Sequence, residues 1–392
     1  MKAIAVIPAR GGSKGLPRKN LLPLCGKPLV AWTIESALAA QSVERVVVST
    51  DDPQIAQVSR AYGAEVVQRP PEISGDASPS EEALLHALEA LNIDRGPLAF
   101  LQCTAPLTLP QDIDGTLALL ASADTAFTAT PWHRFLWKAT PAGAEPIGHS
   151  KDVRLMRQQL EPHYLEVGAV YAMRVEGLLR TRRRFHGATA IYQLPPERSL
   201  EIDDETDWVL VETLMRRRLQ MQKEQALPVN VAALIMDFDG VLTDNRVAVD
   251  QTGVESVTCH RGDGWAISRL RQAGLRMLVL TGESSPVVAR RCEKLGVEWI
   301  TAHHDKLPVL KAWLDRHGIA PAQAVYVGND LPDCPCMLYV GCGIAPADAH
   351  PSAKAAARVV LETAGGHGCI RELADLIMSP RRESLGTPAD HR

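Results

Sequence analysis

The sequence predicts an α/β chain of two doubly wound units, on three observations. Two apolar runs, Ala3–Ile7 and Ala232–Met236, each read as a buried parallel strand, and each empties into a loop dense with chemistry-bearing residues. Behind each run, strand-length apolar segments alternate with amphipathic stretches of helical period, the pattern of a mainly parallel sheet covered on both faces. Between the two lies a polar helix from about Thr206 to Gln225, whose basic end meets Leu227-Pro228, a boundary signal. With 392 residues and 46% apolar content, the chain can form two cores of ordinary size. The expected limits are 1–225 and 230–380, with the polar segment 381–392 as a disordered tail.

In the first half, strands are expected near Ala3–Ile7, Arg45–Ser49, Leu98–Gln102, Thr125–Thr130 and Ala169–Met173, with helices such as Val30–Ala40 and Ser80–Leu91 between them. The loop after the first strand reads Arg10-Gly11-Gly12-Ser13-Lys14-Gly15-Leu16-Pro17-Arg18-Lys19-Asn20. Its glycines let the backbone approach a ligand and turn successive N–H groups into an anion nest, and its cations match a triphosphate. The spacing is neither a Walker A loop nor a dinucleotide fingerprint. Asp51 and Asp52 fall at the C-terminal end of a strand, where open α/β sheets bind ligands. The basic clusters Arg180–Arg184 and Arg216–Arg218 read as solvated faces.

The loop closely resembles that of the CMP–sialic acid synthetases, the N-acylneuraminate cytidylyltransferases. The resemblance implies a nucleotide-diphospho-sugar-transferase-like (Rossmann-like) domain. In it Arg10, Gly11, Gly12, Ser13, Lys14, Lys19 and Asn20 wrap CTP, with Arg10 and Lys19 the main cations of the reaction. Arg69 and Ser80 match positions that read the base, and Gln102 and Thr104 positions at the sugar pocket. Arg157 and Tyr171 match a later sugar-binding segment, Arg157 gripping the sugar carboxylate through a fork. Glu201-Ile202-Asp203 resembles a metal-binding Asp-x-Asp pair. Two carboxylates at this spacing suit Mg²⁺ shared with phosphate, and equally suit an acidic helix N-terminus. The chain departs from the family at Val167, where an asparagine is usual, and at Glu201, where an aspartate is usual.

The second half repeats the logic. Asp237-Phe238-Asp239-Gly240-Val241-Leu242-Thr243-Asp244 follows a strand, and Leu280-Thr281-Gly282-Glu283 follows another. Further strands are expected at Met277–Leu280, Val297–Thr301 and Val325–Val327. Asp305-Lys306 supplies a lysine, and Gly328-Asn329-Asp330-Leu331-Pro332-Asp333 a late acidic motif. Four elements in this order resemble the haloacid-dehalogenase superfamily of phosphatases. Arg261-Gly262-Asp263-Gly264 and Gly365-Gly366-His367-Gly368 narrow the resemblance to its capless octulosonate-phosphate phosphatase branch. The resemblance implies Asp237 as nucleophile, Asp239 as acid and base, and Thr281 and Lys306 as phosphoryl-binding groups. It further implies Mg²⁺ held by Asp237, Asp239 and Asp330, with Asp333 behind them, and a homotetramer assembled through this domain.

A formal charge of −4 gives no general basic field for nucleic acid. The eight cysteines lack a C-x-x-C pair, so free thiols in a reducing compartment are expected. No leader pattern opens the sequence and no apolar stretch reaches the length of a membrane span, so a cytoplasmic enzyme without membrane or nucleic-acid partners is expected. The combined reading is a bifunctional enzyme. It would dephosphorylate a nine-carbon, sialic-acid-type sugar phosphate and couple the free sugar acid to CMP. Three alternatives stand beside it: a C-terminal half that serves only for assembly, an eight-carbon octulosonate pathway, and a CTP sensor without turnover.

Overall fold

The computed structural model describes residues 2–13, 15–159 and 161–379; Lys14 and the expected tail at 381–392 lie outside the described residues. The chain divides into two compact units, Met1–Arg217 and Arg218–Arg392.

The first unit is built on strands β1 (Ala3–Pro8), β2 (Val43–Thr50), β3 (Glu65–Gln68), β4 (Pro97–Leu101), β5 (Thr125–Trp132), β6 (His163–Arg174) and β7 (Thr189–Gln193). They form one sheet in the order β7-β5-β6-β4-β1-β2-β3. Alternate residues of the central strands feed different cores. Ile7, Val48 and Leu101 enter one apolar cluster, and Val6, Val47 and Phe100 enter another on the opposite face. Burial on both faces is why these strands read as unbroken apolar runs, each fully buried Val, Ile or Leu contributing about 1.5–3 kcal/mol.

Strand β6 breaks the parallel pattern, running antiparallel to both β4 and β5. The chain between β5 and β6 forms a hairpin, Leu136–Thr140 with Gly143–Ile147, and no crossover helix, so it returns beside β5 in the opposite sense. The register shifts between Glu166 and Tyr171. Helix Pro53–Ala61 starts where Asp52 accepts from the amides of Gln54 and Ile55 behind Pro53.

The second unit carries β8 (Ala233–Met236), β9 (Arg276–Thr281), β10 (Glu298–Thr301), β11 (Ala324–Val327), β12 (Cys342–Ala345) and β13 (Val359–Val360). The order is β10-β9-β8-β11-β12-β13, parallel throughout. The chain leaves β8 toward one edge and later returns to its other side. The C-terminal end of β8 is therefore a topological switch point, where such sheets open a crevice. All eight cysteines are free. Among the described residues no helix is long and apolar enough to cross a membrane.

Candidate active sites

In the first unit the glycine-rich loop is pinned from several sides. The Gly11 amide donates to Asp51 Oδ1 at 2.9 Å, and Asn20 Nδ2 donates to the Arg10 carbonyl at 3.0 Å. Arg18 pairs with Asp52 at 2.9 Å, and Arg10 with Asp76 at 3.0 Å and the Gly75 carbonyl at 2.9 Å. Gly12 has open space where a side chain would start, and Gly15 has none: a Cβ there would overlap the Asp203 carbonyl. Lys19 is buried, its ammonium donating to the Ile202 carbonyl and lying 3.5 Å from Asp203 Oδ1. The loop and the acidic pair thus meet through Gly15 and Lys19.

The pair itself is not consumed in capping the helix Glu205–Ala226. That task falls to Asp204 and Asp207, which accept from backbone amides at the helix start. Glu201 Oε1 instead accepts from the Gly168 amide at 2.8 Å. A Cβ on Gly168 would overlap both Gln102 Oε1 and the Glu201 carboxylate, so these three residues converge on one point. Burial, reinforced by the charges of Asp203 and Glu166, pushes the Glu201 carboxyl above its ordinary range despite the Gly168 amide. Thr104 presents a buried hydroxyl with no hydrogen-bond partner among the described residues, while its carbonyl accepts from the Ile202 amide at 2.8 Å.

Other expected residues lie differently. Arg69 is only 5% exposed and donates to the hydroxyl and carbonyl of Ser49. Ser80 opens the helix Ser80–Ala90. The Tyr171 ring is core, and its hydroxyl donates to Glu166 at 2.7 Å. Arg157 starts a short turn, Arg157–Gln159, and its side chain lies outside what is described. Ser13 is half-buried on the loop. Trp137 and Trp265 are each 46% exposed.

The second unit gathers its motifs at the end of β8. Lys306 Nζ bridges Asp237 at 2.9 Å and Asp333 at 2.8 Å. Asp333 is fully buried and saturated, accepting also from the Tyr326 hydroxyl and from the amides of Asn329 and Asp330. The bonds to Asp237 both fall on Oδ1, from Lys306 and the Phe238 amide, which leaves Oδ2 open. Burial and the neighbouring Asp333 charge raise the Asp237 carboxyl, with Lys306 opposing. Asp239 is raised chiefly by burial and accepts from the Thr243 hydroxyl at 3.3 Å. Gly240, at φ +76°, leaves room for the Asn329 side chain that its own Cβ would strike. Thr281 ends β9, its hydroxyl accepting from the Glu283 amide at 3.0 Å, and Asp330 follows β11.

Both acidic groups offer only hard oxygen donors, the chemistry Mg²⁺ takes; burial disfavours the charged forms of Asp237 and Glu201, and a bound cation would favour them. Among the described residues no three His, Cys, Asp or Glu side chains already stand close enough to form a cage.

Residues 4–181 match the cytidylyltransferase family model, and residues 289–373 match that of the haloacid dehalogenase-like hydrolases. N-acylneuraminate cytidylyltransferase A of Danio rerio is 30% identical over 394 residues, covering 97% of this chain and 89% of that one. This chain belongs to the N-acylneuraminate cytidylyltransferase family. It is an enzyme in which a cytidylyltransferase domain precedes a haloacid dehalogenase-like hydrolase domain. The N-acylneuraminate cytidylyltransferase of Escherichia coli O18:K1:H7 is 32% identical over 226 residues, 55% of this chain and 53% of that one. Among solved structures, the 3-deoxy-D-manno-octulosonate 8-phosphate phosphatases of Moraxella catarrhalis and Yersinia pestis share 30% and 32% identity. They cover 42% and 40% of this chain and 91% and 84% of their own, each at a TM-score of 0.38.

Compared with the wording usual in N-acylneuraminate cytidylyltransferases, Val167 is buried inside the first core, its carbonyl accepting from the Thr128 hydroxyl at 2.8 Å. Two residues beside the sites escaped the sequence reading. Tyr326 carried a usable signal, because a tyrosine inside a buried strand must find a partner for its hydroxyl, here Asp333. Arg184 carried none, since a basic run looks alike whether or not one member turns inward.

Proposed function

We propose that the chain is bifunctional, with residues 1–225 and 230–380 as its two working domains. The first transfers CMP from CTP to a sialic-acid-type, nine-carbon sugar acid. The sugar hydroxyl oxygen bonds to the α-phosphorus, the bond to the bridging oxygen breaks, and pyrophosphate leaves. Arg10, Lys14 and Lys19 hold the phosphates beside Gly11, Gly12, Ser13 and Asn20, and Arg69 and Ser80 read the base. Gln102, Thr104, Arg157 and Tyr171 place the sugar acid. Such a displacement needs alignment and charge neutralisation more than a covalent group.

The second domain hydrolyses the corresponding sugar 9-phosphate. Asp237 bonds to phosphorus while Asp239 gives its proton to the departing sugar oxygen. Asp239 then takes a proton from the water that splits the aspartyl-phosphate, releasing phosphate and restoring Asp237. Thr281 and Lys306 hold the phosphoryl oxygens. Glu201 and Asp203 in one domain, and Asp237, Asp239 and Asp330 in the other, are the residues to hold Mg²⁺, which when bound neutralises phosphate charge. The enzyme works in the cytoplasm as a homotetramer assembled through the second domain.

The observation that carries this reading is the Asp237–Lys306–Asp333 bridge, since an assembly module has no need of a buried ionic centre at a sheet's switch point that leaves one Asp237 oxygen open. The test is incubation of the full chain with Mg²⁺, CTP and a panel of sialic-type sugar acids, free and 9-phosphorylated, followed by mass spectrometry. Conversion of a 9-phosphate through free sugar to its CMP conjugate supports both activities. Reaction of free sugars alone removes the phosphatase half.

A further inference from the structure

Arg184, the last member of a basic run that reads as solvated, turns into the first unit. Its side chain is 21% exposed and forks onto Glu81, Nε to Oε1 at 2.6 Å and Nη2 to Oε2 at 3.1 Å. The same guanidinium lies over two rings, 4.9 Å from the centroid of Tyr171 and 5.1 Å from that of Phe100. Those rings are themselves stacked, 5.2 Å apart at 17°. The Tyr171 hydroxyl then donates to Glu166 at 2.7 Å. A continuous chain of contacts therefore runs from Glu81 through Arg184 and Tyr171 to Glu166.

Both ends of that chain adjoin residues that the cytidylyltransferase reading assigns to the site. Glu81 is in the first turn of the helix that Ser80 opens, so a shift of Glu81 moves Ser80. Glu166 lies two residues before Gly168, the residue on which Gln102 and Glu201 converge. We infer that Arg184 is a positioning residue for cytidylyl transfer, holding the base end of the site at Ser80 and the sugar end at Tyr171 and Glu166 with one guanidinium. The inference rests on the cytidylyltransferase reading above. Arginine suits the task because its planar fork satisfies a carboxylate on one edge while its face stacks on aromatic rings. A lysine keeps the charge and loses both the bidentate fork and the stack.

The test compares full-length wild type with Arg184→Lys and Glu81→Gln. Loss of a charge-assisted contact in Arg184→Lys is expected to raise KM for CTP and for the sugar acid by about tenfold each. The kcat of Arg184→Lys is expected to stay within about threefold of wild type, because no group touching the reacting atoms is removed. Glu81→Gln is expected to raise KM for CTP and to leave that for the sugar acid nearer wild type. A merely structural role would lower the melting temperature while both KM values stayed at wild type, and that result overturns the inference. Should Arg184→Lys fail to fold, Glu81→Gln decides: an unchanged KM for CTP overturns it, and a raised one supports it. Should wild type transfer CMP to no sugar acid, the functional reading fails separately. Calorimetric affinity for Mg·CTP in wild type and Glu81→Gln then still decides the base end.

Discussion

The amide of Gly168 donates to the carboxylate of Glu201 at 2.8 Å, joining residues 33 apart in sequence. A methyl group at residue 168 would overlap that carboxylate and the side-chain oxygen of Gln102 together. Gly168→Ala is therefore expected to cut CMP transfer by about 100-fold, the cost of displacing aligned groups by about an ångström. Phosphate release by the second domain should be untouched. Assay of both activities on one preparation checks this, and equal loss of both would point to a folding defect instead.

Asp237→Asn should reduce phosphatase turnover to below about a thousandth while CMP transfer persists. The variant keeps the acceptor for Phe238 and the size of the side chain, so assembly measured by light scattering should match wild type. Retained phosphatase activity would remove Asp237 from the role of nucleophile.

Asp333→Ala acts on stability. It strips a fully buried carboxylate from Lys306, Tyr326 and two amides, leaving donors without acceptors in a dry interior. The expected cost is about 3–5 kcal/mol. Because the chain has two units, calorimetry should show one transition moving down while the other stays. A shift below about 1 kcal/mol would mean that the centre is solvated.

The Glu81–Arg184 pair gives a pH dependence of defined sign. The hydrogen bond from Arg184 holds the Glu81 carboxyl below its ordinary range. Its contribution is thus complete above the unfolded value of about 4.3 and fades as the pH falls through the lower folded value. The stability deficit of Glu81→Gln, read from urea melts, should be full at neutral pH and shrink below about pH 4. A deficit that grows on acidification contradicts the assignment.

Much of this architecture was legible because the decisive segments are extreme. Ala3–Ile7 and Ala233–Met236 are buried on both faces, and no other local structure suits such runs beside loops rich in glycine and charge. The direction of β6 was not legible, since an apolar strand reads the same whichever way it runs and the reversal comes from a hairpin elsewhere. The short strands Glu65–Gln68 and Thr189–Gln193 lie at sheet edges, where one side meets solvent and the apolar signal thins. The burial of Lys19 was not legible, because its seat is made by Ile202 and Asp203, far along the chain.

That distance sets an order of events in synthesis. Lys19 and Ile202 are separated by 183 residues, which a ribosome adding about 5–20 residues per second covers in about 10–40 s. During that interval the opening loop has no floor for its ammonium group and no carbonyl against Gly15. A nascent chain released before Ile202 carries every residue of the loop and none of its seat. An early loop of this unit thus waits for a late segment before its lysine is seated.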